Sequence, residues 1–455
     1  MHEPSKQGVS SRSSTRISNS PSVTVIRDMA SENPLVTDEI EIPRGLRLIV
    51  GAQACGFGPA SKLLAIASSL NARHELAFWG EGSALSLAKC NSDLFTSICE
   101  YPSDFHISLI TTNFDAGIVV MDHRLAFQVF LSGHPMYFFD SLFTFWVTAH
   151  SPAELVLASE RIRTLDKSAA SEFFYSFGAH DQKLLCHLLA TRGCIQAFFG
   201  ATKRVEEYER AGARNLELIG HMVTIPKEYT TQTMSPGTLL VNLGGVSNFV
   251  LSFGKNDYYV TLIERLVRDI VRTRRNFSRA IICCGKYSTE IIENIGDARI
   301  ERRLLSHDEF IGEVASAEFY MTSPGLTSII ESACLNKPFI LLPDQHYSHY
   351  HNTQQLSSND LDWLAVTWSH VFGNYIVPNS DVAGSLAIID CARIALSDSA
   401  IYTRLLGLLL NRIDRQFDHS GEKGKLICQK IREENRYRSL NHVLTDIESE
   451  LHSDT

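Results

Sequence analysis

The stretch LRLIVGAQACGFGPASKLLAIASSL, residues 46–70, determines the fold class predicted for this chain. It begins with a short apolar run rich in Leu, Ile and Val, which is typical of a buried parallel strand. The glycine turn GFGP follows at residues 56–59, and apolar residues then recur at helical spacing. We therefore predict a strand, a tight turn and a helix, the repeating unit of an open parallel sheet wrapped by helices.

The same alternation recurs on both sides of a polar segment. Further strand-like segments of the first half lie at residues 74–80, 115–122, 135–140, 194–200 and 216–223. The segment PKEYTTQTMSPG at residues 226–237 is polar, with a proline near each end, and suits a linker. After it, strand-like segments lie at residues 238–245, 280–286, 318–325 and 338–343. The pattern therefore predicts two successive α/β units of comparable size.

We predict four regions along the chain: a disordered extension over 1–43, Rossmann-like domains over 44–230 and 231–395, and C-terminal helices over 396–455. The extension is rich in Ser, Thr, Pro and Asn, so it cannot bury enough apolar surface to offset the entropy of ordering. Two Rossmann-like domains place a cleft between the carboxyl ends of their sheets, where open α/β sheets bind ligands. The predicted fold class is α/β, with two domains facing across this cleft.

Composition excludes several classes of function. Lys and Arg number 42 against 51 Asp and Glu, which gives a net charge of −9, and no basic run offers a surface to nucleic acid. No apolar run approaches the roughly 20 residues of a membrane-spanning helix, and the N-terminus lacks the features of a secretory signal. Ten cysteines without a CxxC pair indicate reduced thiols. We expect a soluble, cytoplasmic protein of enzyme size without a nucleic-acid partner.

The first glycine turn, formed by Gly56, Phe57 and Gly58, departs from a nicotinamide-binding motif. Such a motif reads GxGxxG, and Ser61 stands where its third glycine would fall. The second strand also ends in Phe, Trp and Gly at residues 78–80, where an acidic residue would bind the ribose. Two interpretations remain open: the glycines only permit a tight turn, or they let an acceptor molecule approach the backbone.

A stronger site signal runs from Thr322 to Gln355. Small residues open a helix directly after a strand there: Ser323, Gly325, Thr327 and Ser328. A helix start offers free N–H groups and the positive end of the helix dipole, which together favour a phosphate. Glu331 follows within the first turns, where a carboxylate can accept both hydroxyls of a ribose. The stretch therefore predicts a nucleotide site at this helix start.

The strand after that helix ends in Pro343, and a cluster of polar residues follows it. Its members are Asp344, Gln345, His346, His349, His351, Asn352, Gln354 and Gln355. Uncharged donors and acceptors of this kind suit sugar hydroxyls. The alternatives are a surface loop, or a metal site with His349 and His351 as ligands, although no Cys or carboxylate set completes such a shell. We favour contact with a sugar or phosphate and predict no bound metal.

This C-terminal stretch resembles the nucleotide-sugar site of GT-B glycosyltransferases, in particular that of the N-acetylglucosaminyltransferases that form lipid II. The matching features, in chain order, are Gly325, Glu331 six residues later, Pro338 seven further, a strand, Pro343 and a Gln-rich tail. The sequences LGG at residues 243–245 and GK at residues 285–286 fall where that class has phosphate-facing turns. Together with the similarity of the N-terminal half, the resemblance covers about residues 45–360 and implies the GT-B fold.

The N-terminal half is similar to cytosylglucuronate synthase, a nucleoside-antibiotic enzyme, and its relatives. The similar segments are GFGPASKLLAIA, residues 56–67, FGATKRVEEYERAGA, residues 199–213, and ELIGHMV, residues 217–223. Two features depart from the patterns of these families. Val246, Ser247 and Asn248 follow the LGG turn where a basic residue would contact phosphate, and residues 357–382 do not match. The resemblance adds antibiotic biosynthesis to the expected functions.

The resemblance implies a binding role for each matching residue. Leu305 and the turn after it would cover the nucleobase, expected to be uracil, through backbone atoms, and Glu331 would bind the ribose. The residues expected to hold or face the diphosphate are Gly244, Gly245, Lys286, Ser323, Gly325, Leu326 and Thr327. Gln354 and Gln355, with His349 or Asn352, would contact the donor sugar.

The resemblance also implies sugar transfer without a metal or cofactor, with the UDP-sugar as co-substrate. A general base would sit at the carboxyl end of a strand in the first domain, which would bind the acceptor. We favour Asp140 over Asp122 and the adjacent His123, although a strand-end aspartate can equally cap the next helix. If the sugar is glucuronate, the histidine cluster would receive its carboxylate, and binding would strengthen as the pH falls from about 8 to about 6.

The sequence therefore predicts a glycosyltransferase that moves a sugar from a UDP-sugar to a small acceptor. Glucuronate is the candidate sugar, and a pyrimidine base is the candidate acceptor. Two alternatives remain open, a UDP-sugar 2-epimerase and a catalytically silent relative that binds nucleotide-sugar. Release of UDP, formation of an epimer, or neither outcome would separate the three.

Overall fold

The structure is a computed structural model that describes residues 45–54, 56–102, 113–231, 233–246, 257–284, 290–373, 375–418 and 422–453. This part of the chain groups into a single unit that contains two β-sheets. We call the sheets and their helices the first and the second lobe.

The first lobe is built on seven parallel strands. They are β1 (Arg47–Ala52), β2 (Glu75–Gly80), β3 (Ser97–Glu100), β4 (Ala116–Val120), β5 (Met136–Asp140), β6 (Arg192–Gln196) and β7 (Leu216–Ile219). Their order across the sheet is β3-β2-β1-β4-β5-β6-β7. The direction of the order reverses between β1 and β4, where Leu48 pairs with Ala116. Parallel sheets bind ligands beyond the carboxyl ends of the strands at such a reversal.

In the described part of the first lobe, seven helices accompany this sheet. They are α1 (Gly58–Leu70), α2 (Gly82–Cys90), α3 (His123–Ser132), α4 (Pro152–Thr164), α5 (Lys167–Tyr175), α6 (Ala179–Leu189) and α7 (Ala201–Arg210). Helix α1 has Pro59 in its first turn, where the missing N–H of proline costs nothing. The predicted strand, glycine turn and helix over residues 46–70 are therefore confirmed.

The second lobe has a six-stranded sheet. Its strands are β8 (Ser235–Asn242), β9 (Arg279–Cys283), β10 (Ile291–Ile295), β11 (Ala298–Arg303), β12 (Ala317–Thr322) and β13 (Ile340–Leu341), in the order β10-β11-β9-β8-β12-β13. All neighbours are parallel except β10 and β11, which form an antiparallel pair at the edge. The predicted linker is shorter than expected, because Ser235 to Gly237 already belong to β8.

The helices that follow β8 pack on both lobes. They are α8 (Asp257–Thr273), α9 (His307–Ser316), α10 (Leu326–Cys334), α11 (Tyr347–Ser357), α12 (Trp368–Phe372), α13 (Asp381–Ser397), α14 (Ser399–Asp418), α15 (Glu422–Glu433) and α16 (Leu440–Ser453). Helix α13 packs on α8 and α15 on α10, whereas α16 contacts α1 of the first lobe. There Glu448 lies 2.8 Å from Arg73 and 2.6 Å from His74. The C-terminal helices thus connect the second lobe back to the first.

Two α/β units with parallel sheets confirm the predicted fold class. The polar cluster after Pro343 is mostly helical, because residues 347–357 form α11, and the surface-loop interpretation of it is wrong. No helix in the described ranges is both long and apolar enough to cross a membrane. The exact boundaries of the four predicted regions stay a prediction.

Candidate functional site

The start of α10 presents backbone N–H groups without a side-chain cap. Gly325 is the N-cap, and the first N–H to bond within the helix is that of Ile329, which donates to the Gly325 carbonyl at 3.1 Å. The N–H groups of Leu326, Thr327 and Ser328 precede this bond, so the helix supplies them no acceptor. The residues Gly325, Thr327 and Ser328 are partly exposed. An anion could accept from these groups at the positive end of the helix dipole.

Glycine turns from both lobes meet beside this helix start. A Cβ atom on Gly245 would lie 2.9 Å from the Cα of Gly56 and from the amide nitrogen of Phe57, so only glycine permits this approach. A Cβ on Gly58 would lie 3.4 Å from the Thr327 hydroxyl. The turn predicted to face the acceptor and the LGG turn are therefore neighbours.

Asn242, at the end of β8, forms hydrogen bonds to both the LGG turn and the α10 start, the two segments predicted to face phosphate. Its side-chain amide nitrogen donates to the Ser328 hydroxyl at 2.9 Å, and its side-chain carbonyl oxygen accepts the Gly244 N–H at 2.9 Å. The Ser323 side chain has a different environment, because its hydroxyl lies 3.1 Å from the Tyr259 hydroxyl inside the lobe. Lys286, also expected at the diphosphate, lies outside the described residues.

Lys62 of α1 reaches this site from the first lobe and was not anticipated from the sequence. Its ammonium group donates to the Thr327 hydroxyl at 2.5 Å, and the residue is only 2% exposed. Burial lowers the pKa of Lys62 to about 8, although the carboxylates of Glu331 and Asp140 oppose this shift. A lysine on an amphipathic helix normally indicates a solvated face, so no local pattern revealed this position.

Glu331 is buried within α10 close to the loop that carries Leu305. It is 4% exposed, and its Oε1 atom lies 3.3 Å from Nε2 of His307. Burial raises the pKa of Glu331 to about 8, with Lys62 acting in the opposite direction. His307 follows Leu305 by two residues, so the positions expected at the nucleobase and the ribose come together. The sequence analysis did not identify His307.

Three buried polar atoms at the start of α11 have no hydrogen-bond partner among the described residues. They are Oδ2 of Asp344, Nε2 of Gln345 and Nδ1 of His349. The His349 ring lies next to the α10 start, 3.7 Å from where a Cβ on Gly325 would be. Asn352 connects α11 to the segment that precedes α10, because its side-chain amide donates to the Pro324 carbonyl at 2.9 Å. Buried polar atoms left unpaired in this way are typical of a site that a ligand completes.

The other face of α11 contacts the first lobe. Nε2 of His351 lies 3.2 Å from the Thr144 hydroxyl, and the Gln355 amide oxygen would lie 3.3 Å from a Cβ on Gly200. Gln354 is exposed. Of the residues expected at the donor sugar, the structure therefore places His349 and Asn352 beside α10, Gln355 at the lobe junction and Gln354 at the surface.

The histidines of this cluster do not titrate near neutral pH. Burial lowers the pKa of His346 and of His351 to about 4 and that of His349 well below its ordinary value. The cluster is therefore neutral between about pH 6 and pH 8. The empty site thus gives no support to the expectation that glucuronate would bind more tightly across that range, which stays a prediction.

Asp140, the favoured general base, is fully buried and already hydrogen bonded. Its carboxylate accepts from the Trp146 indole at 2.5 Å, from the Leu142 N–H at 2.6 Å and from His187 at 3.1 Å. Burial opposes its ionisation, but these bonds outweigh burial and lower its pKa. At 0% exposure it holds the loop after β5 in place and offers no oxygen to an acceptor.

Asp122 and His123 stand at the start of α3. Asp122 caps the helix by accepting the Arg124 N–H at 3.0 Å, and its second oxygen accepts the Tyr101 hydroxyl at 2.7 Å. His123 has no partner for Nδ1 within the described ranges, and burial, together with the charges of Lys183 and other neighbours, holds its pKa well below the usual value. Asp122 is therefore a helix cap, and His123 is a neutral imidazole.

A histidine–carboxylate pair that the sequence analysis missed lies near the junction of the lobes. Nδ1 of His150 is 2.8 Å from Oδ2 of Asp181, whose other oxygen accepts the Ala149 N–H at 3.2 Å. Asp181 is buried, but the His150 side chain is 42% exposed. The adjacent His180 lies 3.8 Å from Asp381 of the second lobe. The pair can orient an imidazole that takes a proton on its other nitrogen.

Comparison with known proteins identifies the fold. The chain has the GT-B glycosyltransferase fold of two parallel-sheet lobes. It superposes on the crystal structure of the glycotransferase of kitacinnamycin with a TM-score of 0.50, at 14% identity, over 90% of this chain and all of that one. A UDP-glucosyltransferase from Polygonum tinctorium gives 0.48 at 13% identity, over 90% of this chain and 99% of that one. No family model and no curated protein matches the sequence.

Proposed function

We propose that the chain is a glycosyltransferase that moves a sugar from a UDP-sugar to a small acceptor bound by the first lobe. The observation that carries this proposal is the uncapped start of α10 beside the buried Glu331. The unpaired atoms of Asp344, Gln345 and His349 support it, because they belong to the segment that opens α11, whose His349 lies beside the α10 start. The GT-B fold agrees with this function.

Each part of the donor then has a partner. The N–H groups of Leu326, Thr327 and Ser328 bind the diphosphate, and Glu331 accepts the ribose hydroxyls. Oδ2 of Asp344 and Nε2 of Gln345 bond to hydroxyls of the sugar. Leaving a buried polar atom unpaired costs about 1–3 kcal/mol, which a bound sugar would recover. Preorganised N–H groups also stabilise the charge on the departing diphosphate.

His150 is our proposed general base. The acceptor atom attacks the anomeric carbon, the bond from that carbon to the phosphate oxygen breaks, and the acceptor proton passes to Nε2 of His150. Asp181 orients the imidazole and stabilises its charged form. General-base catalysis of this kind contributes about 10²- to 10⁴-fold to the rate. Asp140 supports the same loop without touching the reacting atoms.

The finer parts of the proposal rest on the family resemblance. Glucuronate is the proposed sugar, a pyrimidine base the proposed acceptor and nucleoside-antibiotic biosynthesis the proposed context. The carboxylate of glucuronate would accept hydrogen bonds from neutral histidines such as His349. All nine cysteines that the structure describes are free thiols, which suits the cytoplasm as the proposed location.

Thermal shift with UDP, UDP-glucose, UDP-glucuronate, UDP-N-acetylglucosamine and TDP tests the donor class. A ligand at one hundred times its Kd stabilises the native state by about 2.7 kcal/mol, so the Tm should rise. Glu331→Gln should abolish the rise, whereas Glu160→Gln, at an exposed position of α4, should retain it. A rise of equal size in Glu331→Gln would reject the ribose assignment.

Product analysis then tests the reaction. The protein is incubated with the UDP-sugar that gives the largest shift, with and without candidate pyrimidine acceptors. A transferase releases UDP and forms a glycosylated acceptor. Formation of an epimerised UDP-sugar, or binding without any product, would contradict the proposal and favour one of the two alternatives.

A further inference from the structure

Two buried nitrogen groups of the first lobe have no role in the donor site described above, and one of them contacts the α10 start. One is the Lys62 ammonium, and the other is the imidazole of His221, which follows β7 and is 6% exposed. The His221 main-chain N–H donates to the Asn435 side chain at 2.6 Å. Neither ring nitrogen of His221 has a hydrogen-bond partner within the part of the chain that the structure describes.

Lys62 contacts α10, and His221 lies within electrostatic range of Lys62. Burial, followed by the charge of Lys62, lowers the pKa of His221 to about 4, so the imidazole is neutral and within electrostatic reach of the ammonium. Lys62 in turn donates to the Thr327 hydroxyl at 2.5 Å. Lys62 therefore reaches the helix start from the lobe opposite to the one that carries it, and His221 belongs to the same lobe as Lys62.

One ionised carboxylate, that of Asp140, acts on the Lys62 ammonium, but its oxygens already accept hydrogen bonds from other groups. The Lys62 ammonium sits at the positive end of the α10 dipole, which is unfavourable for a cation. The other carboxylate that acts on it is that of Glu331, but burial raises the pKa of this group to about 8, which disfavours its charged form. The unpaired imidazole also needs an acceptor for its N–H. A diphosphate would supply both a negative charge and the acceptor oxygens.

We propose that Lys62 and His221 bind the diphosphate of the sugar donor from the first lobe and stabilise it as the leaving group. The inference rests on the proposed function and adds these residues to the donor site. When the bond from the anomeric carbon breaks, its electron pair passes to the terminal phosphate oxygen. The Lys62 ammonium and one His221 N–H donate to the phosphate oxygens, and neither group transfers its proton. Departure of the diphosphate is thus assisted by both lobes.

Calorimetry with uridine, UMP and UDP tests the inference, because only the last two carry phosphate. The variants are Lys62→Met, which keeps the apolar stem, His221→Phe, which keeps a ring, and the control Lys203→Met, at an exposed position of α7. A charge-assisted hydrogen bond is worth about 10- to 100-fold in affinity and a neutral one about 3- to 10-fold. We expect those losses of UDP affinity in Lys62→Met and His221→Phe respectively.

Uridine affinity should change less than about threefold in every variant, which shows that the fold and the nucleoside site survive. Equal losses for uridine and UDP in Lys62→Met, or no loss for UDP, would overturn the inference. A wild-type protein that binds UDP no better than uridine would overturn it as well. Failure of the wild type to bind any of the three ligands would instead reject the proposed function, and the inference with it.

Discussion

Substituting Glu331 by Gln should make the empty protein more stable, and increasingly so as the pH rises. Glu331 is 4% exposed, and burial raises its pKa from an ordinary value of 4.5 to about 8. Between these two values the unfolded chain loses the proton, whereas the folded protein keeps it. The free energy of unfolding therefore falls through this range in the wild type. Glutamine has no proton to lose in this pH range, so its side chain does not make the free energy of unfolding depend on pH.

The size of the effect follows from the pKa difference. A tenfold change in proton affinity corresponds to about 1.4 kcal/mol, so between pH 5 and pH 8 the Glu331 side chain should cost about 2–4 kcal/mol of stability. The pKa of Lys62, lowered to about 8 by burial, places most of its titration above this range. The advantage of Glu331→Gln over the wild type should therefore grow by about 2–4 kcal/mol from pH 5 to pH 8.

Urea unfolding of both proteins at pH 5, 6, 7 and 8 measures this difference. Glu160→Gln serves as the control, because an exposed carboxylate should give nearly parallel curves. The same Glu331→Gln protein should bind UDP more weakly, so stability and binding should change in opposite directions. Parallel stability curves for Glu331→Gln and the wild type would refute the claim that burial holds this carboxyl in its neutral form.

Three further substitutions separate structural from chemical roles. Asp140→Asn removes a fully buried charge and should cost about 3 kcal/mol in urea unfolding, with uridine affinity by calorimetry unchanged; a loss of uridine binding without loss of stability would contradict this. His150→Ala should lower kcat for UDP release about 10²- to 10⁴-fold without changing the Kd for UDP, and a fully active variant would exclude it as the base. Gly245→Ala places a methyl group 2.9 Å from the Gly56 Cα and should lower the free energy of unfolding by about 1–3 kcal/mol. An unchanged midpoint of urea unfolding would argue against the contact between the two glycine turns.

Local patterns predicted most of the fold. Apolar runs followed by glycine turns correspond to β1, β8 and β12, because buried parallel strands need apolar side chains on both faces. The antiparallel pair β10 and β11 was missed, since IIENI and ARIERR place charged residues on a partly exposed edge. The short edge strand β3 was missed for the same reason, because its residues are only partly buried or exposed.

Some residues of the candidate site could likewise be predicted from local sequence patterns, whereas others could not. The α10 start and Glu331 lie within seven residues of each other, so the sequence alone revealed them. Lys62 is 265 residues away from Thr327 in the chain, and only the packing of the two lobes brings them together. Asp140 was chosen because it ends a strand, but its burial depends on Trp146 and other residues that no local pattern identifies.

A crystal structure of the protein with bound UDP tests the central claim most directly. Diphosphate oxygens should lie within about 3 Å of the N–H groups at Leu326–Ser328, with the ribose hydroxyls on Glu331. UDP bound elsewhere would contradict the claim. So would a structure in which UDP is bound but the α10 start contacts only Lys62 and the glycine turns.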